Sequence, residues 1–294
     1  MLKSLALAVA LAVGSSSVAL AAGAAPAVEP AAQTFHFGGL AVTALRDQVR
    51  TVPNDGKVFG SQVGTQAAAD VLAAAGAPTD GITLGFGALL VKDGKHTVLI
   101  DTGLGPKAQG RLVPSLVKAG YRPAQITGVL ITHVHGDHIG GLLTAEGTPA
   151  FAKASVRISA PDWAWLQGQP QMAELVKAIT PQVKTFAPGD SVAPNIRSVP
   201  LKGHTPGHVG YQIGSGPSAL LDVDDLVHSA IISLAKPGWL ITFDTDSDAA
   251  IATRRAELAK LAASHETIFA PHFPFPGIGT IQADGDHFVW QPAR

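Results

Sequence analysis

Three histidines and an aspartate fall within six residues at His133-Val134-His135-Gly136-Asp137-His138, and a run of that kind constrains the fold more than anything else in the chain. It follows an apolar segment, Ile126 to Ile131, that has the length and content of a buried strand. Neutral imidazoles and carboxylates suit zinc or another borderline divalent ion. Gly136 lets the loop turn sharply, so the pair His133 and His135 and the pair Asp137 and His138 can face two adjacent centres. Strand-then-ligand-loop is a motif that an α/β sheet can present at its edge, where loops at one end collect residues distant in sequence.

Other candidate ligands recur at predicted strand ends: Asp101, His204, Asp225 and His272. A single zinc takes about four ligands, whereas the cluster with His204, Asp225 and His272 offers seven side chains, so the count favours two metals. Spacing does not choose between Asp222, Asp224 and Asp225. Asp101 is read either as orienting a ligand histidine through its second ring nitrogen or as a strand-end turn carboxylate. His208 is read as a supporting residue, and the isolated His36, His96, His265 and His287 as structural or solvated.

There is no cysteine, which excludes thiolate metal sites and thiol nucleophiles and leaves ligation to His and carboxylates. Hydrophobic residues at 46% against charged residues at 15% provide for a large core. A net charge of -1 without a basic run gives no footprint for nucleic-acid binding.

Met1-Leu2-Lys3, the apolar stretch Leu5 to Val13 and the small residues Ala19-Leu20-Ala21 describe a secretory signal peptide over residues 1–21. Gly14 to Ser17 interrupts the apolar run before the roughly 20 residues that a membrane span needs. The expected product is periplasmic or secreted, with no stable membrane span. An Ala/Pro-rich, flexible spacer, residues 22–33, then leads to one α/β domain, residues 34–294.

In that domain the spacing predicts strands over Thr34 to Arg46, Ile82 to Leu90, Thr97 to Ile100, Val156 to Ala160, Asn195 to Pro200, Val209 to Ile213, Ser218 to Val223 and Thr267 to Ala270, with an edge strand at Phe288 to Trp290. Helices are expected from Gln66 to Ala75, Lys107 to Ala119, Pro161 to Lys177 and Ser247 to Ala263. The loop Thr51 to Gly64 is a candidate substrate lid or homodimer contact. Trp163, Trp165, Phe86, Phe273 and Phe275 are candidate pocket residues. Trp163 and Trp165 are candidates for a lid, because Asp162 and Gln167 make their segment look partly exposed.

With these residues in hand, the sequence resembles the metallo-β-lactamase-fold hydrolases. The resemblance spans the mature chain and is carried by His133 to His138, Gly203-His204-Thr205-Pro206-Gly207-His208, Asp225 and Pro271-His272. It implies a four-layer αβ/βα sandwich holding two divalent ions, zinc first and manganese, cobalt or iron as alternatives. His133, His135 and His204 would hold one ion, Asp137, His138 and His272 the other, and Asp225 would bridge them. Within that superfamily, Asp225-Leu226-Val227-His228 and the segment from His272 to Gly279 look most like the exported methyl-parathion-hydrolase-like branch, which is similar to the quorum-quenching lactonases. Those lactonases usually carry Tyr three residues after the bridging Asp, where this chain has His228. His228 either faces the substrate as hydrogen-bond donor or general acid, or fills a helix turn.

The expected activity is metal-dependent hydrolysis of a small-molecule lactone, aryl ester or phosphotriester by a metal-bridging hydroxide, with Asp137 and His228 as catalytic candidates. Two ions carry +4, Asp137 and Asp225 remove two charges and a hydroxide one, which leaves a positive site for a developing oxyanion. β-Lactamase and thioester hydrolase activities on the same fold, and a non-hydrolytic metal-binding or redox protein, are the alternatives. An aspartate at the bridging position speaks against the first of them, because β-lactamases generally carry cysteine or serine there.

Overall fold

The computed structural model describes residues 28–293, so the signal-peptide segment lies outside the described residues. Two seven-stranded sheets stack face to face. The first runs in chain order through β1 (Ala32–Phe37), β2 (Leu40–Pro53), β3 (Gly81–Asp93), β4 (His96–Ile100), β5 (Gly128–Leu130), β6 (Ser155–Ser159) and β7 (Val183–Phe186). The second contains β8 (Ser191–Ala193), β9 (Ile196–Pro200), β10 (Val209–Ile213), β11 (Leu220–Asp222), β12 (Thr267–Phe269), β13 (Ile278–Asp284) and β14 (His287–Pro292), in the order β14 to β8.

The period-two pattern of the strands explains why both sheet faces are covered. On β3 and β4, Leu89, Val91, Val98 and Ile100 point between the sheets and meet Val209, Tyr211 and Phe269. Their neighbours Leu90 and Leu99 point outward against α2 (Leu112–Lys118), α4 (Ala160–Gln167) and α5 (Ala173–Ile179) through Leu112, Leu116, Leu166 and Ile179. On the second sheet, Leu221 and Ile268 face outward onto Leu258 and Leu261 of α7 (Ser247–Ser264). A smaller cluster seats α1 (Thr65–Ala74) and α6 (Ile232–Ala235) on Ile82 and Leu84. Helix, sheet, sheet, helix is the expected four-layer arrangement. Each fully buried Leu or Ile in it contributes about 1.5–3 kcal/mol.

Several boundaries differ from the sequence expectation, each for a local reason. The first strand begins at Ala32, inside the expected spacer, because the backbone of Ala31 bonds Arg46 and Ser115 and starts the pairing early. The helix expected from Lys107 shortens to Leu112–Lys118, since Gly110 packs against Asp47 and Gly105. The helix expected over Pro161 to Lys177 breaks into α4, a 3-10 turn and α5 around Gly168 and Pro170. β7, β8 and β13 escaped notice because they are short or lie where the alternation is weak.

The parallel pairs matter most for function. β4 pairs with β5, and β11 with β12. Parallel neighbours deliver the loops after their C-terminal ends to the same edge, which brings together Asp101, the loop from Thr132 to His138, the turn at Asp222 to Asp225, and Pro271-His272. α3 (Gly136–Ile139) is the single turn that carries Asp137 and His138.

Candidate metal centre

Seven side chains, six from these loops and His204 from the loop between β9 and β10, converge in two overlapping groups. In the first, Nε2 of His133 lies 3.1 Å from Nδ1 of His135, which lies 2.9 Å from Nε2 of His204. The two Nε2 atoms of His204 and His133 are 3.2 Å apart, and Oδ2 of Asp225 is 3.1 Å from the former and 3.5 Å from the latter. In the second, Nε2 of His138 lies 3.5 Å from Oδ2 of Asp137 and 3.5 Å from Oδ1 of Asp225. Nε2 of His272 closes that group at 3.5 Å from Asp137 and 3.0 Å from Oδ1 of Asp225. Asp225 therefore turns one carboxylate oxygen to each group.

The donor set fits two divalent ions. Four donors placed tetrahedrally about 2.0–2.1 Å from a zinc ion stand roughly 3.3 Å from one another, and the observed separations bracket that value. Buried Nε2 of His138 and His272 and Oδ1 of Asp225 have no hydrogen-bond partner. Buried polar atoms left without partners are costly, and a cation shared between them removes the cost.

The ring nitrogens turned away from the cluster explain why these nitrogens are free. Nδ1–H of His133 donates to Asp224 at 2.9 Å, that of His138 to Asp101 at 2.8 Å, that of His204 to Asp244 at 2.9 Å, and that of His272 to the carbonyl of Gly85 at 2.8 Å. Each bond fixes the tautomer that leaves Nε2 as an acceptor for a metal. Of the two readings of Asp101, the orienting one is observed. Asp101 also accepts from the backbone and hydroxyl of Thr132 at 2.9 and 2.7 Å, so one carboxylate sets both the cluster's entry and one of its rings. Asp101 and Asp224 adopt positive φ of 60° and 46°, a strained conformation for these residues that the surrounding bonds hold in place.

Among the three candidate acids, Asp225 is the one that reaches both groups. Asp224 instead bonds His133 and, at 3.2 Å, Nε2 of His208, which makes His208 the supporting residue expected. Asp222 accepts from the backbone of Asp224, and burial together with the Asp224 charge raises its carboxyl well above the usual range.

Gly203 and Gly207 flank His204 because the backbone passes too close for a side chain. A Cβ on Gly203, at φ 117°, would strike the backbone of Ala250, and one on Gly207 would strike the hydroxyl of Ser159 and the backbone of Asp162. Asp162 joins the two histidine loops: it accepts from Val134 N at 3.1 Å, Thr205 Oγ1 at 2.8 Å and Gly207 N at 2.6 Å. Asp162 itself is 0% exposed, whereas Ala160, Pro161, Ala164 and Gln167 around it are exposed and Trp163 and Trp165 half-buried, so the segment is partly exposed as expected although Asp162 is not what exposes it. Trp165 is half-buried against the core and meets His135 edge-on at 5.9 Å.

His228 is buried, and neither ring nitrogen has a hydrogen-bond partner. Its Nε2 lies 3.1 Å from Oδ2 of Asp225, and its ring stacks on that of His272 at 5.4 Å. The residue faces the cluster rather than filling a helix turn. Over it, the loop after β2 pairs with the segment 240–242 through Phe59 and Ile241, and Phe59 and Phe243 approach its ring at 6.4 and 5.9 Å.

Phe86 meets the edge of His272 at 5.0 Å and opens onto a cavity of about 360 Å³ lined mainly by apolar groups, Leu72, Ile82, Ile231 and Phe275 among them. Phe273 also borders it, although it is 1% exposed and packs on Trp290 as core. Asp244, Asp162 and Arg254 are site residues that no motif announced. Arg254 alone had a signal, as a charge four residues from both Ala250 and Leu258 on the apolar stripe of α7.

Residues 88–272, from β3 to the last of the converging histidines, match the Metallo-beta-lactamase superfamily. The chain belongs to that superfamily, and its clustered His and Asp side chains are placed closely enough to hold metal ions. Among solved structures it is similar to AidC, a dizinc quorum-quenching lactonase in complex with its product, at 28% identity and a TM-score of 0.83 over 90% of this chain and 98% of that one. It is also similar to the hydrolase AbOPH of the β-lactamase superfamily, at 28% identity and a TM-score of 0.82 over 91% and 99%. Among curated proteins, YobT of Bacillus subtilis is 30% identical over 42% of this chain and 54% of its own length. A probable metallo-hydrolase of Mycobacterium tuberculosis is 29% identical over 49% and 57%. The chain thus spans little more than half the length of these curated relatives.

Proposed function

We propose that the protein is an exported dinuclear hydrolase that opens lactones and cleaves aryl esters, with phosphotriesters as a secondary class. The single observation that carries the dinuclear assignment is the division of the Asp225 carboxylate, with Oδ2 3.1 Å from His204 and Oδ1 3.0 Å from His272. His133, His135 and His204 would hold the first ion and Asp137, His138 and His272 the second, with Asp225 placed to serve both. Zinc is the first choice of metal, consistent with the donor set and with the dizinc relative. When bound, such a pair supplies Lewis acidity toward a carbonyl or phosphoryl oxygen and acidifies water toward a pKa of about 7.

The chain's own groups divide the remaining work. Burial opposes the ionisation of Asp137, but His138 and His272 outweigh it and hold the carboxyl far below the usual range; with its side chain 23% exposed, it stays a carboxylate and accepts a hydrogen bond from water at the site. His228 brings a ring nitrogen to the same site and donates to the leaving oxygen as it gains charge. Trp165, Phe86 and Phe243 each approach a different one of His135, His272 and His228. An apolar or aromatic substrate arm fits between such rings, with the cavity beyond Phe86 to receive it. The segment over His228 that contains Phe59 acts as substrate cover. Export rests on the pattern of residues 1–21; among the described residues no helix is long and apolar enough to cross a membrane.

The test is a substrate panel on zinc-loaded protein: dihydrocoumarin, a homoserine lactone, an aryl acetate, a phosphotriester and nitrocefin. Lactone and aryl-ester turnover well above the rest is expected. Turnover of nitrocefin alone, or of none of the five, would sink the assignment.

A further inference from the structure

Arg254 is the largest fully buried side chain in the molecule's described part, 1% exposed on the inner stripe of α7. Burying a guanidinium is costly unless its donors are satisfied, and here four of its five N–H groups have acceptors. Nε donates to the carbonyl of Leu226 at 2.8 Å, one terminal nitrogen donates to Oδ2 of Asp244 at 2.9 Å, and the other reaches the carbonyls of Pro237 and Trp239 at 3.4 Å. Two of these contacts lead straight to the metal centre. Oδ1 of Asp244 accepts from Nδ1 of His204 at 2.9 Å, and Leu226 directly follows Asp225.

We infer that Arg254 is a positioning residue for the first metal position, aiming His204 through Asp244 and seating the Asp225 turn through Leu226. The second position has separate supports: His138 rests on Asp101 and His272 on the Gly85 carbonyl. Through His204, then, a break in the Arg254 relay acts on one position only. A buried cation that merely filled space in α7 would give no such asymmetry. The inference rests on the ligand assignment above, and it is read by binding, so it does not depend on which substrate the enzyme takes.

The experiment is a zinc competition titration against a chromophoric chelator. His135→Ala and Asp137→Ala identify which binding phase belongs to the first position and which to the second. Asp244→Asn, nearly the same size as the native residue, and Arg254→Met are then compared with wild type. Both are expected to weaken the first phase by about 10- to 100-fold, the range for partners that orient a ligand, with the second phase weakened less. The double variant should be no weaker than the worse single one, because the two residues act in series. Should Arg254→Met fail to fold, Asp244→Asn decides alone. Equal weakening of both phases in Asp244→Asn, or of neither, overturns the role. If His135→Ala and Asp137→Ala remove no phase, the ligand assignment fails and the role of Arg254 with it.

Discussion

Oδ1 of Asp225 lies 3.0 Å from Nε2 of His272, yet neither atom makes a hydrogen bond. Two buried polar atoms that approach without bonding are arranged for a third partner, and a divalent cation satisfies both at once. Replacing Asp225 by Ala removes the one group common to both positions. Asp225→Ala and His133→Ala are each expected to lower metal occupancy and activity at least 10-fold, while His265→Ala, at the far end of α7, changes little. An Asp225→Ala protein with normal metal content and rate would mean that the bridging residue lies elsewhere. Elemental analysis beside an esterase assay gives both readings.

His228 separates binding of metal from turnover. His228→Phe preserves a ring beside His272 but removes both nitrogens, so metal content should stay near wild type while kcat falls at least about 100-fold, the low side of a general acid's worth. Unchanged kinetics across several esters would take His228 out of the catalytic account.

Asp162 tests the coupling of the two histidine loops. Asp162→Ala leaves the buried N–H groups of Val134 and Gly207 without their acceptor, at a cost of about 1–3 kcal/mol for each. Denaturant unfolding should show a loss of about 2–6 kcal/mol, together with weaker metal binding at the first position. A variant as stable as wild type would show that other contacts hold the loops.

Metal affinity should rise with pH. Burial alone would lower the pKa of His204, but the hydrogen bonds and charges of Asp225 and Asp244 outweigh it and raise it to about 9 in the metal-free protein. A metal must displace that proton. Apparent affinity should therefore increase about tenfold per pH unit for each proton displaced, up to about pH 9. The same raised pKa stabilises the metal-free fold fully below the ordinary histidine value of 6.5, and that contribution is lost as pH rises through about 9. Zinc dissociation constants that do not move between neutral and mildly alkaline pH would contradict the assignment.

The sequence made the first layer of the site legible because its ligands cluster or stand in short motifs. His133 to His138 stood out from the residues alone, His204 and His272 were singled out by the motifs of a known family, and the strand endings at Ile100 and Leu130 could be placed nearly to the residue. The choice of Asp225 over Asp222 and Asp224 needed a known family, since all three are buried and only the backbone turn decides which one faces the histidines. Asp162 and Asp244 were invisible because their partners are distant in sequence: Asp162 is 45 positions from Gly207 and Asp244 is 40 from His204. Asp162 was a misleading sign of exposure, as an aspartate at the start of a helix looks solvated until its buried acceptor role is seen, even though the helix around it is partly exposed.

Hydrolysis requires both metal positions to be filled. Chelator-stripped protein, titrated with zinc while dihydrocoumarin opening is followed, should stay nearly inactive at low occupancy and reach its plateau at two equivalents per chain. A plateau at one equivalent, or lactone opening that persists after the metal is removed, would contradict it.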